Sequence, residues 1–203
     1  QRGLAPARPP VPFFRMADKK RPAPSSAERP PRSSADRKSN AGSTPDPWEA
    51  CARLEYGADR SFAWTVREQV LDAQPEERAR IEDQLLKSLA LPGRTDAGRA
   101  FLCQMLALVA TAKSVPTLAA LLKDPKASDD ARYALQQIAG PEAAAALRDA
   151  LGSLSGRPKA GVIGSIAHRK DITARPVLAG IKENPAEAPE VREAAARALA
   201  HLS

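Results

Sequence analysis

One apolar pattern recurs along this chain at nearly constant spacing. Leu102, Met105, Leu106 and Val109 stand at i, i+3, i+4 and i+7, the spacing of one face of a helix. A shift of 29 residues reaches Ala131, Ala134, Leu135 and Ile138, and a further 28 reaches Lys159, Val162, Ile163 and Ile166. From there 36 residues lead to Ala195, Ala198, Leu199 and Leu202. A second series is interleaved with the first, running from Leu118 and Leu121 to Leu147 and Ala150 and on to Leu178 and Ile181. Pro116 and Pro176 hold matching early positions in that series, where a missing N–H costs little. A period of about 30 residues made of two short helices predicts an all-α, right-handed α-solenoid, because each hairpin alone has too little interior and must stack on its neighbours.

The punctuation agrees with this. Ser114 and Asp171 stand where second helices should begin and are residue types that cap free backbone N–H groups. Gly140 stands where a first helix should stop, since glycine accepts the left-handed conformation that ends helices. Strand signals are absent. Upstream, residues 48–97 predict two or three helices closing the N-terminal end of the stack. Glu76 and Glu77 favour a helix start, Leu85, Leu86 and Leu89 form an apolar face, and Trp48 and Trp64 are expected as core filling. Residues 98–203 hold about three and a half repeats and stop after a first helix, so an apolar face is expected to lie bare and the natural protein to continue or to pair there.

The segments "VREAAARALAHL" (Val191 to Leu202) and "SVPTLAALLKD" (Ser114 to Asp124) resemble the two helices of HEAT repeats, in the short variety called PBS-lyase HEAT-like repeats, of bacterial type. The resemblance covers residues 98–203 well and Trp48 to Pro92 more weakly. It implies the armadillo-like helical fold and a protein-binding scaffold or adaptor without catalysis. Such families place glycine at the turn between the helices, where this chain has Ala110 and Ala167.

Charge separates the chain into two parts. Residues 1–47 hold 10 of the 19 prolines and 10 Lys and Arg against 4 Asp and Glu, leaving 21 against 20 for residues 48–203. A Pro-, Arg- and Ser-rich basic segment with so little apolar periodicity is expected to be a disordered tail. Contact with nucleic acid or an anionic surface is expected only through it, since the nearly neutral remainder lacks the excess of cations that phosphates require. The most natural internal start is Met16. No apolar h-region follows it, so a chain starting there is expected in the cytoplasm. No stretch approaches the roughly 18 to 20 apolar residues that span a bilayer.

No residue pattern singles out chemistry. Cys51 and Cys103 form no CxxC pair, and Cys103 falls inside the apolar run "FLCQMLALV", where a small buried thiol is expected. His168 and His201 lie far apart, so no metal and no cofactor is implied. "AHRKD" (Ala167 to Asp171) brings a histidine near a base and a carboxylate, but its place in the repeat is a turn; Arg169 and Asp171 match the family pattern, and Asp171 is expected as a helix cap. "GRPKAGVIG" (Gly156 to Gly164) lacks phosphate-loop spacing, and its glycines predict close approach of packed helices. Repeat proteins of this kind include bilin lyases and DNA glycosylases, and a repeat-based enzyme or nucleic-acid-binding protein is the alternative. A groove that holds bases would need aromatics, and beyond Phe101 only Tyr133 remains. The expected binding surface is the concave face lined by the second helices, at Lys123, Arg148, Asp149, Lys182 and Glu183, whose mixed signs suit a protein partner of unspecified identity.

Overall fold

Where the chain begins each helix, proline or a side-chain oxygen is usually at hand. Proline occupies the first or second position of six helices, α1 (Pro47–Ala52), α3 (Pro75–Leu89), α5 (Val115–Leu122), α7 (Pro141–Ala150), α9 (Arg175–Glu183) and α10 (Pro189–His201). The remaining helices are α2 (Ser61–Asp72), α4 (Asp96–Val109), α6 (Ser128–Gln137) and α8 (Gly156–His168). These come from a computed structural model that describes residues 46–203. Among the described residues the protein is all-α, without strands. Asp46 caps α1 by accepting from Trp48 N at 3.1 Å, and Thr95 caps α4 by accepting from Gly98 N at 2.9 Å. The segment expected as a disordered tail lies, through residue 45, outside the described residues; its last two residues are the cap and first residue of α1.

The apolar register carries the packing. α4 packs on α6, α6 on α8 and α8 on α10, while α3 packs on α4, α5 on α6, α7 on α8 and α9 on α10. Leu102, Leu106, Leu135, Ile163 and Ile166 are fully shielded along the first series, and Leu118, Leu147 and Leu178 along the second. Each such side chain contributes about 2 kcal/mol of burial. At the N-terminal end α1 packs against α2, α3 and α4.

Several expectations need correction. Leu121 is only half-buried, and Leu122 takes the inward position. Trp48 is half-buried against the core, but Trp64 is 61% exposed, because α2 turns Ala63, Val66 and Val70 inward and Trp64 falls beside that stripe. The face of α10 expected to lie bare is only partly apolar: Glu190, Glu193, Arg197 and His201 are exposed together with Ala200; Ala196 and Leu199 are half-buried, and Val191, Ala194, Ala195 and Ala198 are buried. Ser114 does not cap α5. It is fully buried and donates its hydroxyl to Glu82 Oε1 at 2.6 Å, while Thr111 caps the 3-10 turn before α5 by accepting from Lys113 N. Gly140 has φ +100° but serves as the N-cap of α7, three residues beyond the last residue of α6. The left-handed residue after α8 is Lys170, at φ 54°, and Ala110 is simply extended, so the missing family glycines strain neither alanine.

Helix ends are tied to one another by side chains from neighbouring helices. Arg169 Nη1 donates to the carbonyls of Leu135 (2.9 Å), Gln136 (3.1 Å) and Ile138, and Nη2 donates to Gly140 O at 2.8 Å, closing the end of α6. Arg99 reaches Lys126 O at 2.7 Å, and Arg175 reaches Leu202 O at 3.0 Å. Glu82 on α3, 1% exposed, accepts from Thr111 N at 2.8 Å and from the hydroxyls of Thr111 and Ser114. A charged partner makes such bonds worth about 1.5–3 kcal/mol each.

Gly98 marks the closest approach of two helices. A Cβ there would stand 2.2 Å from Ala52 O, at the end of α1, whose carbonyl also accepts from Thr95 N at 3.0 Å. At Gly164 an added Cβ meets nothing within 4 Å. Gly98→Ala is therefore expected to destabilise the protein by about 2 kcal/mol or more, through overpacking against backbone. Gly164→Ala should stabilise it by about 0.5–1 kcal/mol, through helix propensity. Urea denaturation of both variants tests the pair, and equal effects would show that α1 and α4 do not meet this closely.

Candidate functional site

Alanines on α5 and α7 leave an open cleft of about 420 Å³ between the two helices. Ala119, Ala145, Ala146 and Ala150 form its apolar part, with Lys123, Glu142 and Asp149 as its charged residues. Two of the five surface residues expected from the sequence, Lys123 and Asp149, thus meet at one site. Lys123 is the C-cap residue of α5, and Asp149 stands one residue before the end of α7.

The other three do not join them. Arg148 is directed to the α8–α9 connection, where Nη1 pairs with Asp171 Oδ2; the two side chains are 29% and 8% exposed. It ties α7 to the turn before α9. Lys182 and Glu183, exposed at the end of α9, pair with each other at 3.0 Å. They do not line the α5/α7 cleft.

In "AHRKD" the Arg169 and Asp171 side chains are bonded to neighbouring elements, while His168 and Lys170 are exposed. Arg169 is spent on the end of α6, and burial draws its guanidinium below the usual value while Asp171 opposes that pull. Asp171 caps the 3-10 turn Ile172–Ala174, accepting from Thr173 N at 3.2 Å and Thr173 Oγ1 at 2.5 Å. Burial pushes its carboxyl up, but the Thr173 hydroxyl and the Arg148 guanidinium outweigh that and hold it below its ordinary value of 3.8. Of the glycines in "GRPKAGVIG", Gly161 fits the expected close approach, with Arg132 Nε 2.7 Å from where a Cβ would stand, whereas Gly164 faces open space.

Both cysteines are buried, and burial pushes each thiol up to about 12, with Asp46 adding to the effect at Cys51. Neither is a reactive thiolate at neutral pH. Lys159, which the repeat register places at an inward position, is buried with its Nζ paired to Glu187. Among the described residues no group of three or more His, Cys, Asp and Glu side chains is placed to hold a metal ion, and no helix is long and apolar enough to cross a membrane.

A second cleft, of about 490 Å³, was not anticipated. α2 and α4 meet there around Trp64, with Arg60, Arg67, Phe101, Gln104 and Met105. The signal for it lies in "SFAWTVREQVLD", where the Ala63, Val66 and Val70 stripe at i, i+3 and i+7 already turns Trp64 and Arg67 to an adjoining face.

Comparison with family models, with curated proteins and with solved structures returns no match for this chain.

The depressed Asp171 carboxyl makes a pH prediction. A folded value below the unfolded one contributes stability above pH ~4, lost as pH falls through the folded value. Asp171→Asn should therefore be less stable than the parent at pH 7, with the gap narrowing below pH ~4. Urea midpoints at pH 7 and pH 3 read this out, and a gap that stays constant with pH would rule out the ionised pair with Arg148.

Proposed function

We propose that residues 98–203 form a right-handed α-solenoid of HEAT-like helical hairpins behind a helical cap at residues 48–97, and that the chain acts in the cytoplasm as a non-catalytic scaffold or adaptor binding protein partners. The observation that carries this reading is the order of packing, in which α4, α6, α8 and α10 each lie against the next while α5, α7 and α9 fill the alternate places. Second helices that lie side by side, as α5 and α7 do, offer the kind of face on which such architectures recruit partners. The resemblance of "SVPTLAALLKD" and "VREAAARALAHL" to HEAT helices supports the same view, and the cytoplasmic location rests on a start at Met16.

The α5/α7 cleft lies on that surface. A floor of alanines lets a partner's backbone or side chain come close, and Lys123, Glu142 and Asp149 offer both signs of charge at its rim. Such a mixed rim suits a polypeptide better than a run of phosphates, which would call for cations alone. Arg169 and Asp171 of the AHRKD turn serve the chain's own helix ends, which leaves His168 without either of them as a partner and favours binding over acid–base catalysis.

A photo-crosslinking residue placed at Ala145, inside the cleft, tests the reading. Ala145→p-benzoylphenylalanine in the source cells should capture a defined polypeptide. The yield should fall about tenfold, equivalent to 1.4 kcal/mol of binding, when Lys123→Glu and Asp149→Lys are added. The same probe at Glu193, on the exposed side of α10, is the control. Capture of nucleic acid alone, or equal capture from both positions, would sink the adaptor reading.

A further inference from the structure

The cleft between α2 and α4 has the make-up of a recognition site for one kind of ligand. Trp64 is 61% exposed at its edge, while Phe101 and Met105, 8% and 4% exposed, form its apolar floor. Arg60 and Arg67 flank it, both exposed, and neither has a carboxylate within 4.0 Å among the described residues. The nearby acids are engaged or face elsewhere. Asp59 accepts from Ser61 N and Oγ at 3.0 and 2.8 Å, and Glu68 and Asp72 line a separate cleft with Trp48. Along α2, seven residues at ~1.5 Å each set the two arginines about 10 Å apart. Trp and Arg are the residues that most often dominate binding energy at protein interfaces, and Met and Phe are enriched beside them.

Charge selects the occupant. Two guanidiniums without counter-ions repel a cationic ligand and present paired donors to carboxylates. Two cations also fall short of the multiple phosphate contacts that make nucleic-acid binding strong. We propose that this cleft binds an acidic peptide segment of a partner protein, one aromatic or aliphatic side chain seated on Phe101 and Met105 beside Trp64, with flanking carboxylates on Arg60 and Arg67. The inference rests on the adaptor reading only in taking a polypeptide as the ligand; the site is distinct from the α5/α7 cleft.

A displayed library of random dodecapeptides, selected on the full chain, is the test. The expected consensus is an aromatic or large aliphatic residue flanked by Asp or Glu. A fluorescein-labelled synthetic copy should bind at least tenfold more weakly to Arg60→Glu/Arg67→Glu and to Trp64→Ala, with helical circular dichroism unchanged and with Lys123→Glu binding as the parent does. In Trp48→Phe, which leaves Trp64 as the single tryptophan, the same peptide should shift the emission to the blue. Anisotropy of the labelled peptide on the arginine variant decides the matter without that substitution. No consensus, a basic consensus, or binding that survives the arginine reversals overturns the proposal. So does oligodeoxythymidylate binding that those reversals abolish, which would make the ligand nucleic acid. Self-association abolished by the same reversals would make it a second copy. Failure here with capture from position 145 intact removes this inference alone, while loss of that capture with peptide binding intact removes the α5/α7 reading alone.

Discussion

Isolated helices shorter than about 12–15 residues are marginal in water, and those of this chain run from six to fifteen residues. Their stability must come from the faces they bury against one another. The succession of α4, α6, α8 and α10 supplies that burial in steps, each helix sealing the leucines or alanines of the one before it. Everything else in the molecule, including both clefts, hangs on this lateral contact. Its tightest point is at the beginning, where Gly98 lets α4 cross the end of α1 at backbone distance.

Apolar stacking is not directional, and alanine-rich faces such as those of α6 and α10 leave room for sliding. The charged residues at the helix ends remove that freedom. Arg169 reads four carbonyls at the close of α6 and its descent into α7, a match that a shift of one residue would break. Glu82 does the reverse for α3, collecting donors from the connection that follows α4. Such buried polar bonds contribute as much by penalising wrong registers as by stabilising the right one. The AHRKD turn shows the same use of charge, its arginine bonded to the end of α6 and its aspartate to the turn before α9.

The inward register was legible because it repeats. Leu106, Leu135 and Ile163 share one spacing, and all three are fully shielded. What periodicity does not encode is which neighbour a polar side chain meets. Arg148 and Asp149 are adjacent in sequence on α7, yet one is drawn 23 positions along the chain to Asp171 while the other stays at the cleft rim. Ser114 is a good cap by residue type, but the 3-10 turn before α5 moves it inward to Glu82 and passes the capping to Thr111. Trp64 was misjudged by size, since large aromatics are usually buried; the smaller Ala63, Val66 and Val70 claimed the inner face of α2 instead.

An exposed tryptophan is a cost that packing alone does not explain. The rest of α2 is arranged economically, its small residues inward and its carboxylates Glu68 and Asp72 facing the cleft shared with Trp48. On the adjoining face Trp64 stands between Arg67 and the N-cap residue Arg60, neither of which has a carboxylate within 4.0 Å among the described residues. Apolar surface left in water and guanidiniums left without partners both lower the free energy of the complex when a complementary ligand arrives, because each gains on binding what folding withheld. The α5/α7 cleft differs in kind, small-floored and mixed in sign, suited to close approach more than to anchoring. One set of helices thus carries two surfaces that differ in charge, in floor and in the size of the side chain each can seat.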